Sequence, residues 1–265
     1  MKKGSLTIVG CGIKFMSHLT IEAKAAIACA DVLFYLVSEP AMRAWLHAQH
    51  PYSLSLASAY EKYPLRQQAY RDITRTLLQA VASEQHVCMV LEGHPVVFAK
   101  PALDAVIQAS AAGYSTCILP GISAEDYLFA ELQIDPGLVG CQSYEATDFL
   151  IHKRAFDGCS HLILWQVSVI GLLGNNPDHA HQHGTQILVD YLSHCYDLNH
   201  EVILFEGSQY PHMASRKQKI ALRHLPQANI SRISTLYVPP ARKAPCDMVM
   251  LEKLGININD LQIAD

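Results

Sequence analysis

The sequence predicts a two-domain α/β protein, with a parallel sheet in its first domain and a mixed sheet in its second. Short apolar runs typical of buried strands alternate with longer segments typical of helices, and small-residue turns close several of the runs. Such alternation is typical of parallel strands joined by crossover helices. The 265 residues, 50% of them hydrophobic, are enough to bury a substantial core in two modest domains.

The first domain is predicted over residues 1–138, ending where the composition becomes loop-like around Asp135-Pro136-Gly137. Its strands are expected at the apolar runs 6–9, 31–37, 86–91 and 116–119, and its helices over 21–30 and 101–112. The second domain, 139–265, has apolar runs at 161–165, 201–205 and 234–238 and a helical stretch over 185–196. The polar segment 175–184 is expected to be a loop.

Two small-residue turns follow consecutive predicted strands. Gly93-His94-Pro95 closes the run 86–91, and Pro120-Gly121-Ile122-Ser123-Ala124 closes the run 116–119. Open α/β sheets bind ligands beyond the carboxyl ends of their strands. We therefore expect one ligand pocket built from both turns.

Gly10-Cys11-Gly12 closes the first run, but a dinucleotide site is not favoured. Phe15 stands where the third glycine of the dinucleotide motif belongs, and Asp31 begins the second strand, whereas the motif's acidic residue ends it. A tight turn that lets another segment approach closely is the better interpretation.

The composition argues against some classes of binding partner and favours one cellular compartment. The net charge is −4 with no basic block, which argues against nucleic acid as a partner. Eight scattered cysteines without a C-x-x-C pair favour a reducing cytoplasm. The N-terminus lacks the apolar core of a signal peptide, and no run approaches a membrane span, so no membrane association is expected.

His179, His181 and His183 alternate within the polar segment 175–184. Alternating imidazoles can bind zinc, but no thiolate or carboxylate has a supporting spacing nearby. A solvated loop is the favoured interpretation, and no metal is predicted.

The segment 60–78 is expected to be helical, with Arg66, Tyr70, Ile73 and Leu77 on one stripe. Because the two aliphatic residues should face the core, Arg66 and Tyr70 should turn inward too, and a buried guanidinium needs a partner. The spacing leaves two interpretations open. Either Arg66 satisfies a carboxylate or carbonyl groups while Tyr70 packs, or Arg66 lowers the pKa of Tyr70 so that the phenol serves as a base.

Six ordered sequence blocks resemble the tetrapyrrole methylase superfamily and, within it, the borosin peptide-backbone α-N-methyltransferases. The blocks are Arg66-x-x-x-Tyr70, Gly93-His94-Pro95-x-Val97-Phe98, Pro120 to Asp126, Gln142 to Ala146, Leu164 to Val167, and Ser234 to Pro240. The resemblance covers nearly the whole chain. It implies a two-domain, class III methyltransferase fold that uses S-adenosylmethionine and releases S-adenosylhomocysteine.

The resemblance also implies site residues. The family's cofactor contacts correspond here to Glu92, His94, Val97, Phe98, Ser123, Ala124, Gln166, Phe205, Ser234 and Thr235. Its catalytic positions correspond to Tyr60, Arg66, Tyr70 and Glu92. The implied reaction transfers a methyl group to amide nitrogens of a peptide, as in the biosynthesis of ribosomally synthesised borosin peptides.

An amide nitrogen is a poor nucleophile because its lone pair is shared with the carbonyl group. We therefore expect Tyr70, as a phenolate favoured by Arg66, to take the N–H proton. Tyr60 or Arg66 would donate a hydrogen bond to the developing imidate oxygen.

Glu92 departs from the borosin sequence pattern. The borosin enzymes generally carry a Tyr immediately before Gly-His-Pro, and that Tyr is counted among their catalytic and cofactor-binding residues. Four interpretations stay open: Glu92 favours the sulfonium cation, raises the pKa of Tyr70, accepts the proton itself, or only lines the pocket.

In fused members of the family, the substrate is the enzyme's own C-terminal tail. Only about 25 residues follow Pro240 here, without an apolar core-peptide repeat. We therefore expect the split type, which acts on a separate precursor peptide. The resemblance also implies a homodimer, forming a heterotetramer with two precursor chains. The alternatives are a methyltransferase for a tetrapyrrole or another small molecule or protein, and an inactive subunit that binds a leader peptide.

Overall fold

The computed structural model describes residues 3–174 and 180–261. The part with the first sheet contains β1 (Ser5–Gly10), α1 (Ile21–Cys29), β2 (Val32–Leu36), α2 (Pro40–Gln49), β3 (Ser53–Ser55), α3 (Ser58–Lys62), α4 (Arg66–Ala82), β4 (His86–Leu91), α5 (Lys100–Ala111), β5 (Ser115–Leu119) and α6 (Ala124–Leu132). The part with the second sheet contains α7 (Pro136–Val139), β6 (Cys141–Glu145), α8 (Ala146–Ile151), β7 (His161–Trp165), α9 (Gln182–Leu192), β8 (Glu201–Glu206), β9 (Arg216–Ala221), β10 (Thr235–Val238), α10 (Met248–Leu254) and α11 (Ile258–Leu261).

The first sheet is parallel throughout and has the strand order β3-β2-β4-β1-β5. Helices cover both of its faces, so its central strands are apolar on both sides. Leu6 and Ile8 pack in the same cluster as Ile73 and Leu77 of α4. Val9 belongs to a second cluster, with α1 and α2. The predicted parallel sheet with crossover helices is confirmed.

The second sheet is mixed and has the strand order β6-β7-β10-β8-β9. β6 and β7 are parallel, and the other pairs are antiparallel. One face packs on α8 and α9, and the other packs on Tyr127 and Leu128 of α6. The predicted mixed sheet is therefore also confirmed. The division at residue 138 stays a prediction; the first sheet's last strand ends at Leu119, and the second sheet begins at Cys141.

The structure differs from the expected elements in three strands. β3, β6 and β9 were not predicted, and each lies at the edge of its sheet. Edge strands are less buried than central ones, so their sequences need no apolar run. β9, for example, begins Arg216-Lys217-Gln218-Lys219.

The expected helical segment 60–78 is divided into α3 and α4. Tyr63 is extended, with φ −119° and ψ 135°, because a residue before proline is disfavoured in the helical region and Pro64 follows it. The expected helix over 185–196 instead begins at Gln182 and ends at Leu192. The predicted loop over 175–184 is therefore wrong at its last three residues. Within the described ranges, no helix is long and apolar enough to cross a lipid bilayer.

Three glycines pack against one another where β1, β4 and β5 end. A Cβ on Gly10 would overlap the carbonyl oxygen of Gly93, and a Cβ on Gly121 would lie 2.8 Å from the same oxygen. Gly93 has φ +71°, which favours glycine, and it exchanges backbone hydrogen bonds with Gly12 at 3.0 and 3.2 Å. The tight turn expected at residues 10–12 thus admits the Gly93 turn.

We predict that Gly121→Ala destabilises the fold by about 1–3 kcal/mol, because the added methyl group forces the turns apart. Chemical denaturation measures the loss. Gly113→Ala is the matched control: its φ of +86° causes backbone strain, but its Cβ would meet no atom within 4 Å. The control should lose about 1–2 kcal/mol of stability from strain alone and keep its affinity for S-adenosylhomocysteine. Gly121→Ala should lose both stability and affinity for that ligand. Unchanged ligand affinity in Gly121→Ala would contradict the role of this contact.

Candidate functional site

A cavity of about 220 Å³ lies beyond the carboxyl ends of β4 and β5 and is closed by the second sheet. Both predicted turns contribute to it, as the sequence indicates. All the predicted cofactor residues except Ser123 line it: Glu92, His94, Val97, Phe98, Ala124, Gln166, Phe205, Ser234 and Thr235.

Ser123 has a different position from the other predicted cofactor residues. It is buried, and its hydroxyl accepts a hydrogen bond from Asp126 N at 3.0 Å, while Asp126 Oδ2 accepts from Ser123 N at 2.9 Å. This capping box starts α6 and so sets the position of Ala124, which does line the cavity.

Glu206 holds the cavity wall formed by the segment before β10. Its Oε1 accepts hydrogen bonds from Arg216 Nη1 at 2.9 Å, Ser231 Oγ at 2.8 Å and Ser234 Oγ at 2.5 Å. Burial alone would raise the pKa of Glu206, but the two serine hydroxyls and the Arg216 charge outweigh it and lower the pKa. Arg232 and Ile233, between the two serines, line the cavity.

Aromatic side chains form the apolar walls. The rings of Phe98 and Trp165 are 6.0 Å apart, and those of Tyr127 and Phe205 are also 6.0 Å apart, both edge to face. Trp165 Nε1 donates to Ser143 Oγ at 2.7 Å, which fixes the indole. Phe205 is 3% exposed and lines the cavity.

A second cavity, of about 500 Å³, adjoins the first. Arg66 and Tyr70 line it, and both are partly buried, as the stripe on α4 predicts. Phe98 and Gln166 line both cavities and so form their junction. Both have left-handed backbones, with φ of +53° and +58°, which is uncommon for residues other than glycine.

Arg66 finds its partner at this junction. Its Nη1 donates to Gln166 Oε1 at 3.4 Å. The partner is thus the carbonyl oxygen of a side-chain amide and not a carboxylate. The contact joins the α4 stripe to the wall of the first cavity.

Tyr60 lines neither cavity but packs edge to face on Tyr70, with ring centroids 6.1 Å apart. Burial, followed by the neighbouring Tyr70, raises the pKa of Tyr60 to about 12, although Arg66 acts in the opposite direction. Tyr60 is therefore a protonated phenol at neutral pH.

The lining of the smaller cavity fits S-adenosylmethionine. Its aromatic walls suit a nucleobase, and its amide and hydroxyl groups suit ribose. Gly207 lets the Tyr127 ring pack closely against the backbone of the cavity wall, because a Cβ there would lie 2.8 Å from that ring.

The structure describes two of the three alternating histidines; His179 lies outside the described residues. His181 Nε2 lies 3.1 Å from the carbonyl oxygen of Ala228, and His183 is in α9. No metal-binding group of three or more side chains occurs in the described ranges.

Several lining residues of the smaller cavity were not predicted. Gly207 and Gln209 come from the connection between β8 and the unpredicted β9, so no local pattern identifies them. Arg232 and Ile233 directly precede Ser234, and that adjacency was the available signal. The others are Ile13, Tyr127 and Trp165, the last lying within a recognised block.

Comparison with known proteins identifies the family. Residues 5–158 match the family described as Tetrapyrrole (Corrin/Porphyrin) Methylases. The chain belongs to the tetrapyrrole methylase family. Within the family it is related to the borosin methyltransferases, so the resemblance found in the sequence is confirmed.

Two relatives illustrate this. A methyltransferase/ribosomally synthesized type I borosin cyclic peptide precursor of Serendipita vermifera subsp. bescii is 36% identical, over 96% of this chain and 63% of the relative. A methyltransferase/ribosomally synthesized cyclic peptide omphalotin A precursor of Omphalotus olearius is also 36% identical, over 96% of this chain and 62% of the relative. The chain thus spans less than two thirds of these relatives.

Solved structures share the fold of this tetrapyrrole methylase family member. Uroporphyrin-III-C-methyltransferase from Thermus thermophilus aligns with a TM-score of 0.65 at 17% identity, covering 94% of this chain and 100% of that one. A cobalt precorrin-4 methyltransferase aligns with a TM-score of 0.63 at 16% identity, covering 89% and 95%.

We predict that Glu206→Gln lowers the free energy of unfolding at neutral pH by about 1–3 kcal/mol, because charge-assisted hydrogen bonds are lost. A carboxylate with a lowered pKa stabilises the fold above its unfolded pKa, and that stability is lost as the pH falls through the folded value. Urea denaturation from about pH 7 to about pH 3 should therefore show the two proteins converging at acid pH. Glu201→Gln, which breaks an exposed pair with Lys219, is the control and should cost under about 0.5 kcal/mol. A difference that does not change with pH would contradict this account.

Proposed function

We propose that this protein is an S-adenosylmethionine-dependent methyltransferase that methylates backbone amide nitrogens of a precursor peptide in borosin biosynthesis. The proposal is based mainly on the junction at Phe98 and Gln166. There the smaller cavity, whose lining fits the cofactor, meets the larger cavity lined by Arg66 and Tyr70. A transfer reaction requires its two reactants to meet at such a point.

The residues that would hold the cofactor are those predicted from the resemblance and lining the smaller cavity: Glu92, His94, Val97, Phe98, Ala124, Gln166, Phe205, Ser234 and Thr235. When bound, S-adenosylmethionine supplies an electrophilic methyl group on a sulfonium sulfur. The cofactor assignment rests on the family and on the chemistry of this lining.

The residues of the larger cavity suit the activation of an amide. Tyr70, acting as a phenolate, takes the N–H proton and becomes a neutral phenol, and the nitrogen lone pair then becomes available for a new bond to carbon. Arg66, held by Gln166, donates to the carbonyl oxygen as negative charge develops there. Tyr60 stays protonated and packs on Tyr70 outside both cavities, so it is not the proton acceptor.

The larger cavity also supports an apolar peptide as substrate. Leu65, Ile151, Leu172 and Leu173 line it, and the side chains of Ile151 and Leu173 are 69% and 74% exposed. Exposed aliphatic side chains beside a cavity favour apolar ligands. The relatives' names, which pair methyltransferase with peptide precursor, support a peptide.

We further propose that the peptide is a separate precursor and that the enzyme acts as a homodimer, binding two precursor chains in the cytoplasm. The family resemblance is the basis for the assembly. All eight cysteines lie in described residues and carry free thiols, in keeping with a reducing compartment.

We predict that Tyr70→Phe lowers kcat for methyl transfer to an apolar precursor peptide by at least about 100-fold, because the proton acceptor is lost. Mass spectrometry of the peptide measures transfer. Isothermal titration with S-adenosylhomocysteine should show unchanged affinity, because Tyr70 does not line the smaller cavity.

Tyr63→Phe is the matched control, since Tyr63 lies just before α4 and lines neither cavity. It should retain turnover. Retained turnover in Tyr70→Phe would contradict the role of Tyr70, and a wild-type protein that does not bind S-adenosylhomocysteine would contradict the proposed function.

A further inference from the structure

Glu92 is anchored through both oxygens of its carboxylate. Oε2 accepts hydrogen bonds from Ser38 N at 3.2 Å and Ser38 Oγ at 2.6 Å, and Oε1 accepts from Gln209 Nε2 at 2.9 Å. Ser38 lies between β2 and α2, whereas Gln209 lies between β8 and β9. The carboxylate therefore ties together the two halves of the chain.

Residues 207–210, which we call the strap, make further bonds to the first half. Tyr210 Oη donates to Glu39 Oε1 at 2.5 Å, and the carbonyl oxygen of Gln209 accepts from Phe15 N at 2.7 Å. Glu39 is only 4% exposed and also caps α2, accepting from Ala41 N at 2.8 Å. The strap is thus fastened by two acidic side chains and one backbone group.

The strap forms part of the smaller cavity. Gly207 and Gln209 line it, whereas Tyr210 does not. Ser215, directly before β9, also holds the strap: its Oγ accepts from Ser208 N at 3.2 Å and lies 2.9 Å from Tyr127 Oη. Tyr127 is itself a wall of the cavity. Loosening the strap should therefore open one side of the cavity.

The same contacts argue against proton transfer by Glu92. Its two oxygens together accept three hydrogen bonds, so three of the roughly four acceptor positions of the carboxylate are already used within the protein. In addition, Glu92 lines the smaller cavity, while Arg66 and Tyr70 line the larger one.

We infer that Glu92 and Glu39 fasten the strap across the smaller cavity, and that Glu92 is a positioning residue for the ligand of that cavity, not the base for the amide proton. Naming S-adenosylmethionine as that ligand rests on the proposed function; the fastening itself does not. The inference gives Glu92 a physical reason to be a carboxylate where the resemblance implies tyrosine: a carboxylate can accept from Ser38 and Gln209 together.

Hydrogen exchange of the intact protein without ligand tests the fastening. Tyr210→Phe removes the bond to Glu39 without touching the cavity, so amides of residues 207–213 should exchange faster than in wild type. Tyr52→Phe changes a tyrosine that is 69% exposed, and it should leave this segment unchanged. Wild-type exchange in Tyr210→Phe would overturn the inference, whatever the ligand results.

Titration with S-adenosylmethionine and S-adenosylhomocysteine tests the positioning role. Tyr210→Phe and Glu92→Gln should each weaken both ligands by a similar factor, roughly 3- to 10-fold. A loss confined to the sulfonium ligand in Glu92→Gln would show a direct charge effect and overturn the positioning role. If Glu92→Gln abolishes turnover but leaves S-adenosylhomocysteine affinity intact, Glu92 is assigned to proton transfer, and the positioning role is overturned as well. If wild type binds neither ligand, the proposed function fails, while the exchange result still decides the fastening.

Discussion

The close approach of three strand-ending turns around the carbonyl oxygen of Gly93 is the constraint on which the site depends. Neither Gly10 nor Gly121 could carry a side chain without a clash with this oxygen, and Gly93 has a left-handed backbone. Because the turns touch, the residues that follow Gly93 face the start of α6. The second sheet then closes the space through β7, β8 and β10, so the smaller cavity has walls from both halves of the chain.

A second consequence is the position of the junction. Phe98 lies five residues after Gly93, and Gln166 directly follows β7; both have left-handed backbones and line both cavities. Such conformations cost free energy and often persist where a site requires them. Here they place an aromatic ring and an amide between the two cavities, and the amide also binds Arg66. The proposed transfer reaction uses this arrangement directly.

The sequence was sufficient for the features that are coded locally. Apolar runs predicted the central strands. Glycine and proline turns predicted that the site lies at the carboxyl ends of the strands, and helical spacing predicted that Arg66 and Tyr70 share one face of a helix. The edge strand β9 and the strap beside it could not be predicted, because solvent-exposed strands carry no apolar pattern and a loop's position depends on tertiary contacts. The three bonds to Glu92 join segments 54 and 117 residues away in sequence, so its environment was also beyond local reasoning.

The central claim is that one reaction joins the two cavities at Phe98 and Gln166. The most direct test is a crystal structure with S-adenosylhomocysteine and an apolar precursor peptide bound together. The account predicts the sulfur at the junction, and a peptide nitrogen on the side of Arg66 and Tyr70 within about 3–3.5 Å of the position that the transferred methyl would occupy. A nucleoside in the larger cavity, or a peptide bound away from Arg66 and Tyr70, would contradict it.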